Sequence, residues 1–375
     1  VQHWPRRFRR FAGIIPIGAI AAANACAAPA KANLPSTPAA SLPAASTAAA
    51  STTIAPGAID PEAPHYPYPF EVHTYVFEAQ RQSLRMAYLD VAPDRPNGKT
   101  VLLLHGKNFS AAYWAPTIRS LRTAGFRVIA PDQIGFGKSS KPSSYQYSFA
   151  ELAGNTRALL ASLGVTSSVV VGHSMGGMLA IRYALLFRDN TEKLALVDPI
   201  GLEDYGAVLP YRSVDELYRR ELAQTPEKIR EYERKAYFGG EWKPEYEDLI
   251  ALPSGWIRHP EYPTVAWAAA LTTEMILTQP VVYDLPRVRV PTLFIIGQRD
   301  RAAVGKDAAP PAVASSLGDF PTLGRKAAHA VPGAKLVEIP GAGHLPQIDN
   351  FVTYEKALLD FLTEKDAPAA SSGAP

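Results

Sequence analysis

Apolar and polar positions alternate with period two over residues 71–78 and 84–91. That period predicts a pair of strands with one covered face, closed by the turn formers Asp94, Pro96, Asn97 and Gly98. From residue 100 the texture changes to short, mainly apolar runs, at 100–104, 126–130, 168–171 and 194–197. Stretches of helical period lie between them, at 111–124, 150–163 and 174–187. Fully apolar strands separated by helices predict a mostly parallel sheet covered on both faces, with the opening pair as an antiparallel edge. The alternation stops after Asp198-Pro199. Residues 200–285 are rich in Tyr, Trp, Glu and Arg and have helical texture without short apolar runs. Strands at 292–296 and 335–339 and a helix at 351–362 then resume the pattern. The chain thus divides into an α/β core, 66–199 and 286–365, and an inserted helical cap, 200–285. Ligands in open α/β sheets bind beyond the carboxyl ends of the strands, where such a cap would cover them.

The front of the chain follows neither period. Arg6, Arg7, Arg9 and Arg10 precede an apolar stretch, 11–25, that ends in Ala23-Asn24-Ala25. A basic head, a short apolar middle and small residues at the end predict a secretory signal peptide over 1–25. The stretch is shorter than the roughly 20 residues of a membrane span. Its paired arginines resemble a twin-arginine signal. Cys26 follows at once, and its setting resembles a lipoprotein site, which implies a lipid anchor. Residues 26–65 are mainly Ala, Pro, Ser and Thr and read as a flexible spacer, because they offer little apolar surface to offset ordering entropy. The expected location is periplasmic or secreted, or membrane-anchored through Cys26.

Composition narrows the chemistry. Cys26 is the only cysteine among 375 residues, so neither an intrachain disulfide nor a cysteine zinc site can form. No His-Glu-x-x-His run asks for a metal. The net charge of +3 belongs to the front end: 38 Lys+Arg less its four arginines leave 34 against 35 acids, or −1. A near-neutral remainder does not favour nucleic acid as a partner.

The run Gly172-His173-Ser174-Met175-Gly176 follows an apolar strand and opens a helix. A G-x-S-x-G run is common by chance, and this placement makes it specific, because a nucleophile elbow needs a sharp strand-to-helix turn. A serine hydroxyl also needs a base. Of the eight histidines, His3 lies in the leader, His65 and His73 precede the core, and His259 lies in the cap. His105 and His173 stand where backbone geometry is set, and His329 lies in a helical stretch. His344, in the loop after the last strand, can reach the strand ends. A carboxylate must hold the base. Asp300 and Asp198 both follow strands, both fit the chain order Ser…Asp…His, and Asp300 is preferred. Two backbone N–H groups, of Met175 and of Lys107, are placed to receive an oxyanion. Asn108 adds either a side-chain hydrogen bond or a turn.

Together these pieces resemble the α/β-hydrolase superfamily, in its capped, esterase-like serine hydrolase branch. The matching segments are His105-Gly106 with Trp114 downstream, 132–139 (Asp-Gln-Ile-Gly-Phe-Gly-Lys-Ser), the elbow at Ser174, 297–300 and Gly343-His344. The resemblance implies an eight-stranded sheet, a Ser-His-Asp triad, no cofactor and a small acyl substrate. It departs at Lys107-Asn108, where many relatives carry an aromatic or small residue and proline. Serine at the elbow points to acyl chemistry, since the dehalogenases and epoxide hydrolases of this fold carry aspartate there. Ester hydrolysis is the first expectation. C–C bond hydrolysis and acyl transfer use the same triad, and a non-catalytic ligand receptor is the reading from another class. The cap aromatics Tyr205, Tyr211, Tyr218, Tyr237, Phe238, Trp242, Trp256 and Trp267 are expected mostly to form the cap's own core.

Overall fold

The structure, a computed structural model, describes residues 55–364 and is built on one eight-stranded sheet. Its strands are β1 (Val72–Ala79), β2 (Gln82–Val91), β3 (Thr100–Leu104), β4 (Arg127–Pro131), β5 (Ser168–His173), β6 (Thr191–Val197), β7 (Thr292–Gly297) and β8 (Lys335–Ile339). They are ordered β1-β2-β4-β3-β5-β6-β7-β8. β2 runs antiparallel to both its neighbours, and β3 to β8 are mutually parallel. This is the α/β sheet with an antiparallel edge that the apolar pattern predicts.

Helices α1 (Ala115–Thr123), α2 (Phe149–Ser162) and α3 (Met175–Leu186) connect β3 to β6. The stretch between β6 and β7 holds α4 (Tyr205–Val208), α5 (Val214–Leu222), α6 (Pro226–Ala236), α7 (Glu247–Ile257) and α8 (Tyr262–Thr278). After β7 come α9 (Pro311–Ala314), α10 (Phe320–Ala330), α11 (Pro346–Asp349) and α12 (Phe351–Thr363). Side chains alternate across each strand, so an all-apolar strand feeds two cores. Leu102, Leu104, Val170, Leu194 and Phe294 pack with α2, α3 and α10 on one face. Val101, Leu103, Val169, Ala195 and Leu293 pack with α1 and α12 on the other. Helix starts carry local signals. Ser148 Oγ accepts from Glu151 N at 3.0 Å to cap α2, and Ser213 Oγ accepts from Glu216 N at 3.2 Å to cap α5. Both are Ser-x-x-Glu capping sequences.

Two expectations are corrected. The turn that closes β1 and β2 is Gln80-Arg81, with φ of 49° and 64°; Asp94 to Gly98 instead lead from β2 to β3. Left-handed positions usually advertise themselves with Gly or Asn, and this turn has neither. The expected flexible spacer, 26–65, is also too long at its end. From residue 55 the chain packs on α7: Ile59 N donates to Gly255 O at 3.0 Å, Trp256 Nε1 donates to Asp60 O at 3.0 Å, and Ala63 is fully buried. The signal-peptide reading of 1–25, Cys26 and the spacer up to residue 54 lie outside the described residues. Among the described residues, no helix is long and apolar enough to cross a membrane.

Candidate active site

The chain leaves β3 for β4 on one side and then returns past β3 to β5 on the other. That reversal opens a crevice beyond the carboxyl ends of β3 and β5. The loop 105–108 follows β3 there, and Ser174 follows β5. Ser174 has φ 55° and ψ −120°, a strained backbone for a residue with a Cβ. The turn fits only because its neighbours lack side chains. A Cβ on Gly172 would lie 2.2 Å from Gly176 O, and one on Gly176 would lie 2.2 Å from Leu104 O.

Three of the predicted residues meet in one hydrogen-bonded chain. His344 Nε2 lies 2.9 Å from Ser174 Oγ, and His344 Nδ1 lies 2.7 Å from Asp300 Oδ2. Asp300 Oδ1 in turn accepts from Ala302 N at 2.8 Å. Since a carboxylate only accepts, Nδ1 carries the proton and Nε2 is free to accept one from the serine. All three side chains are almost completely buried. Lys107 and Met175 flank the same spot, one after β3 and one opening α3. Among the described residues neither backbone N–H has an acceptor in the protein, so both remain available to an oxyanion.

Asp198 stands apart from the imidazole. It follows β6 with φ 39°, and its carboxyl accepts from Gly297 N at 3.0 and 3.2 Å. Burial, then the neighbouring Asp300 charge, raises its pKa well above the carboxylate range. Asn108 makes the turn, with φ 75°, and its Oδ1 lies 3.4 Å from Lys107 Nζ.

The two other core histidines hold the frame. His173 Nε2 donates to His344 O at 2.8 Å, which leaves Nδ1 to accept from Tyr113 OH at 3.0 Å. Burial, then the proximity of His344, lowers the His173 pKa well below its ordinary value, and the ring stays neutral in this tautomer. His105 Nδ1 donates to Gly106 O at 2.9 Å and its Nε2 accepts from Gln133 N at 3.0 Å. The 132–139 motif is likewise a brace. The Asp132 carboxylate accepts from Tyr68 OH, Ala111 N and Lys138 N at 2.6, 2.6 and 2.8 Å.

Sequence reasoning missed what the insertion contributes. Tyr237 O accepts from His344 N at 2.8 Å, and the Tyr237 ring lies 4.6 Å from the imidazole, tilted by 32°. An insertion residue thus fixes the histidine loop, a backbone contact that no motif marks. A cavity of about 420 Å³ runs from Ser174 and His344 out through the insertion. Of the eight aromatics singled out there, Tyr237 and Trp256 line it. Phe238 and Trp242 instead pack with Tyr246, and Tyr211 is exposed. No group of His, Cys, Asp and Glu among the described residues could hold a metal ion.

A buried serine bonded to an imidazole, itself bonded to a carboxyl group, can deliver an activated oxygen to an electrophilic carbon. The chain is similar to known proteins. A probable hydrolytic enzyme from Pseudomonas aeruginosa PAO1 has 51% sequence identity and a TM-score of 0.81, over 82% of this chain and 99% of that one. An uncharacterized protein of Mycobacterium tuberculosis is 37% identical over 106 residues, 28% of this chain and 30% of its own length. A 2-hydroxymuconate semialdehyde hydrolase of Pseudomonas putida is 34% identical over 129 residues, 33% of this chain and 45% of that protein. The chain therefore spans 30% and 45% of the length of these two curated relatives. The family model for the alpha/beta hydrolase fold matches residues 99–351, and the chain belongs to that family.

Proposed function

We propose that the protein hydrolyses a carboxylic ester of a small, largely apolar substrate through an acyl-enzyme on Ser174, with 200–285 acting as a cap. The observation that carries this reading is the continuous chain Asp300–His344–Ser174 at the floor of the cavity. His344 Nε2 takes the serine proton as Oγ attacks the ester carbon. The oxyanion points to the N–H groups of Lys107 and Met175, each worth about 3 kcal/mol to the transition state. Collapse expels the alcohol, which receives the proton from His344. Water then attacks the acyl-enzyme with His344 again as base, and the acid leaves. Ile200, Trp256, Val265 and Leu277 give the cavity an apolar wall suited to an acyl chain.

The test compares wild type with Ser174→Ala on short- and medium-chain nitrophenyl esters. Equal rates in the two proteins overturn the reading. Labelling of the folded protein by a fluorophosphonate, lost in Ser174→Ala, separates an enzyme from a ligand receptor. A C–C bond hydrolase is the second reading, favoured by the partial similarity to the 2-hydroxymuconate semialdehyde hydrolase. Turnover of 2-hydroxymuconate semialdehyde with no turnover of simple esters would favour it. Export belongs to the same proposal and rests on the leader pattern in 1–25. Retention in the cytoplasmic fraction after Arg6, Arg7, Arg9 and Arg10 are replaced by Gln is the expected result.

A further inference from the structure

Asp300 and His344 sit on loops, and a loop keeps a fixed geometry only where something outside it holds its backbone. Here the end of α6 does so. A helix leaves its last carbonyls without partners inside the helix. At the end of α6 three successive carbonyls find partners in the loops that carry Asp300 and His344. Ala236 O accepts from Arg301 N at 3.3 Å, Tyr237 O from His344 N at 2.8 Å, and Phe238 O from Arg299 Nη2 at 2.7 Å. The donors are the two chain neighbours of Asp300 and His344 itself. The backbones meet this closely because residue 343 has no side chain: a Cβ on Gly343 would lie 1.7 Å from Tyr237 O.

Arg299 touches all three pieces. It precedes Asp300 in the chain. Its backbone N–H donates to Ala342 O at 2.8 Å, two residues before His344, and its guanidinium donates to Phe238 O. The guanidinium lies against Gly239, where a Cβ would stand 2.6 Å from Nε and Nη2. Its Nη1 pairs with Glu241 Oε1 at 3.1 Å, but the Glu241 side chain is 61% exposed, and such a pair contributes little. The bond to Phe238 O is charge-assisted and reaches into the helix end that holds His344.

We propose that Arg299 is a positioning residue for the triad: by clamping the end of α6 onto the loops of Asp300 and His344, it holds the imidazole between Ser174 and Asp300. The path is short. It runs from Arg299 Nη2 to Phe238 O, across one peptide to Tyr237 O, and on to His344 N, whose ring lies 2.9 Å from Ser174 Oγ. The Tyr237 ring, 4.6 Å from the imidazole, is carried by the same turn. Without the guanidinium the turn is released at Phe238, and a displacement of about 1 Å at a reacting group can cost about a hundredfold in rate. Arg299 lies outside the lining of the cavity, so it acts through His344 and not on the substrate. The inference rests on the reading of Ser174 as the nucleophile.

The test measures two rates in each protein: turnover of a nitrophenyl ester, and labelling of Ser174 by a fluorophosphonate, which needs an activated serine whatever the natural substrate. Arg299→Ala is expected to lower kcat and the labelling rate by a similar factor, at least about tenfold, with KM changed by less than about twofold. Arg299→Met keeps the stem without its donors; it is the second variant, held to the same outcome should Arg299→Ala not fold. Arg299→Lys can still donate to Phe238 O and is expected to recover part of both rates. Glu241→Ala removes the exposed ion pair and leaves the bond to Phe238 O, so it is expected to match wild type within about twofold. Unchanged kcat and labelling, a raised KM at unchanged kcat, or no recovery in Arg299→Lys overturns the proposal and leaves the ester reading standing. Wild type that labels but turns over no ester overturns the ester reading alone, and the labelling rates still decide the role of Arg299. Wild type that does not label overturns both.

Discussion

Asp198 and Asp300 leave adjacent strand ends, are both fully buried, and lie close enough for their side chains to hydrogen-bond. Two carboxylates in such a place cannot both stay ionised. Burial and the Asp300 charge raise the Asp198 pKa, and among the described residues Asp198 accepts from Gly297 N and pairs with no cation, while Asp300 faces the imidazole. Asp300→Asn is therefore expected to lower kcat by about a thousandfold or more, through loss of the tautomer that frees Nε2. Asp198→Asn preserves a neutral side chain that can still accept from Gly297 N and donate to Asp300, and it should cost less than about tenfold. Steady-state kinetics on one ester decides the order, and the reverse order would make Asp198 the acid. Glu233 poses a different problem. It is fully buried on α6, neither carboxyl oxygen has a hydrogen-bond partner, and burial raises its pKa to about 8. The unfolded chain releases this proton near the ordinary value of 4.5, so stability falls as pH rises from there to about 8. Glu233→Gln keeps the neutral shape without that loss. It is expected to stabilise the protein by roughly 1–3 kcal/mol at pH 8 and by little at pH 4, read from urea unfolding at both values.

At the scale of elements, legibility followed burial. β3, β5, β6 and β7 are covered on both faces, so their all-apolar runs stand out from any helix. Ser174 and Asp300 could be nominated because each follows such a strand, and His344 because it lies in the loop after the last strand, β8. The choice between Asp300 and Asp198 was harder, because both follow strands and only the side-chain directions separate them. The layout of α4 to α8 was not legible, since a helix hides its partner: no residue pattern says that Tyr237 caps the loop of His344. Segment 55–65 misled for a related reason. Alanine and proline read as spacer, yet Ala63 is fully buried and Ile59 lies against the bare backbone of Gly255. Asp60 holds α7 from two sides, by its carbonyl to Trp256 and by its carboxylate to His259 Nε2 at 3.2 Å. Ile59→Ala is expected to destabilise the protein by about 1–2 kcal/mol, measured by urea unfolding. No loss would mean that the segment only rests on α7.

Over the whole molecule, 55–65 ties three distant parts together. It holds α7 through Ile59 and Asp60, pairs Glu62 with Arg85 on β2, and presents the Ala63 and Pro64 carbonyls to Lys138 Nζ at 2.9 and 3.1 Å. Lys141 completes the tie: it is buried, donates to Gly137 O and Ser139 O at 2.8 and 3.1 Å, and sits 5.0 Å from the centre of the Trp256 ring. Trp256 is also a wall of the cavity. The segment therefore braces α7 and the Trp256 wall, whereas Ser174, Asp300 and His344 follow β5, β7 and β8, with Tyr237 O holding His344 N. Two shortened chains separate these roles. A chain beginning at residue 55 keeps every contact named above and is expected to match the full chain in melting temperature and kcat/KM. A chain beginning at residue 66 loses them all. It is expected to melt lower by roughly 5 °C and to show a raised KM with a smaller change in kcat, because the wall moves while the catalytic chain stays in place. Equal loss of kcat at unchanged KM would place the effect of 55–65 on the triad instead.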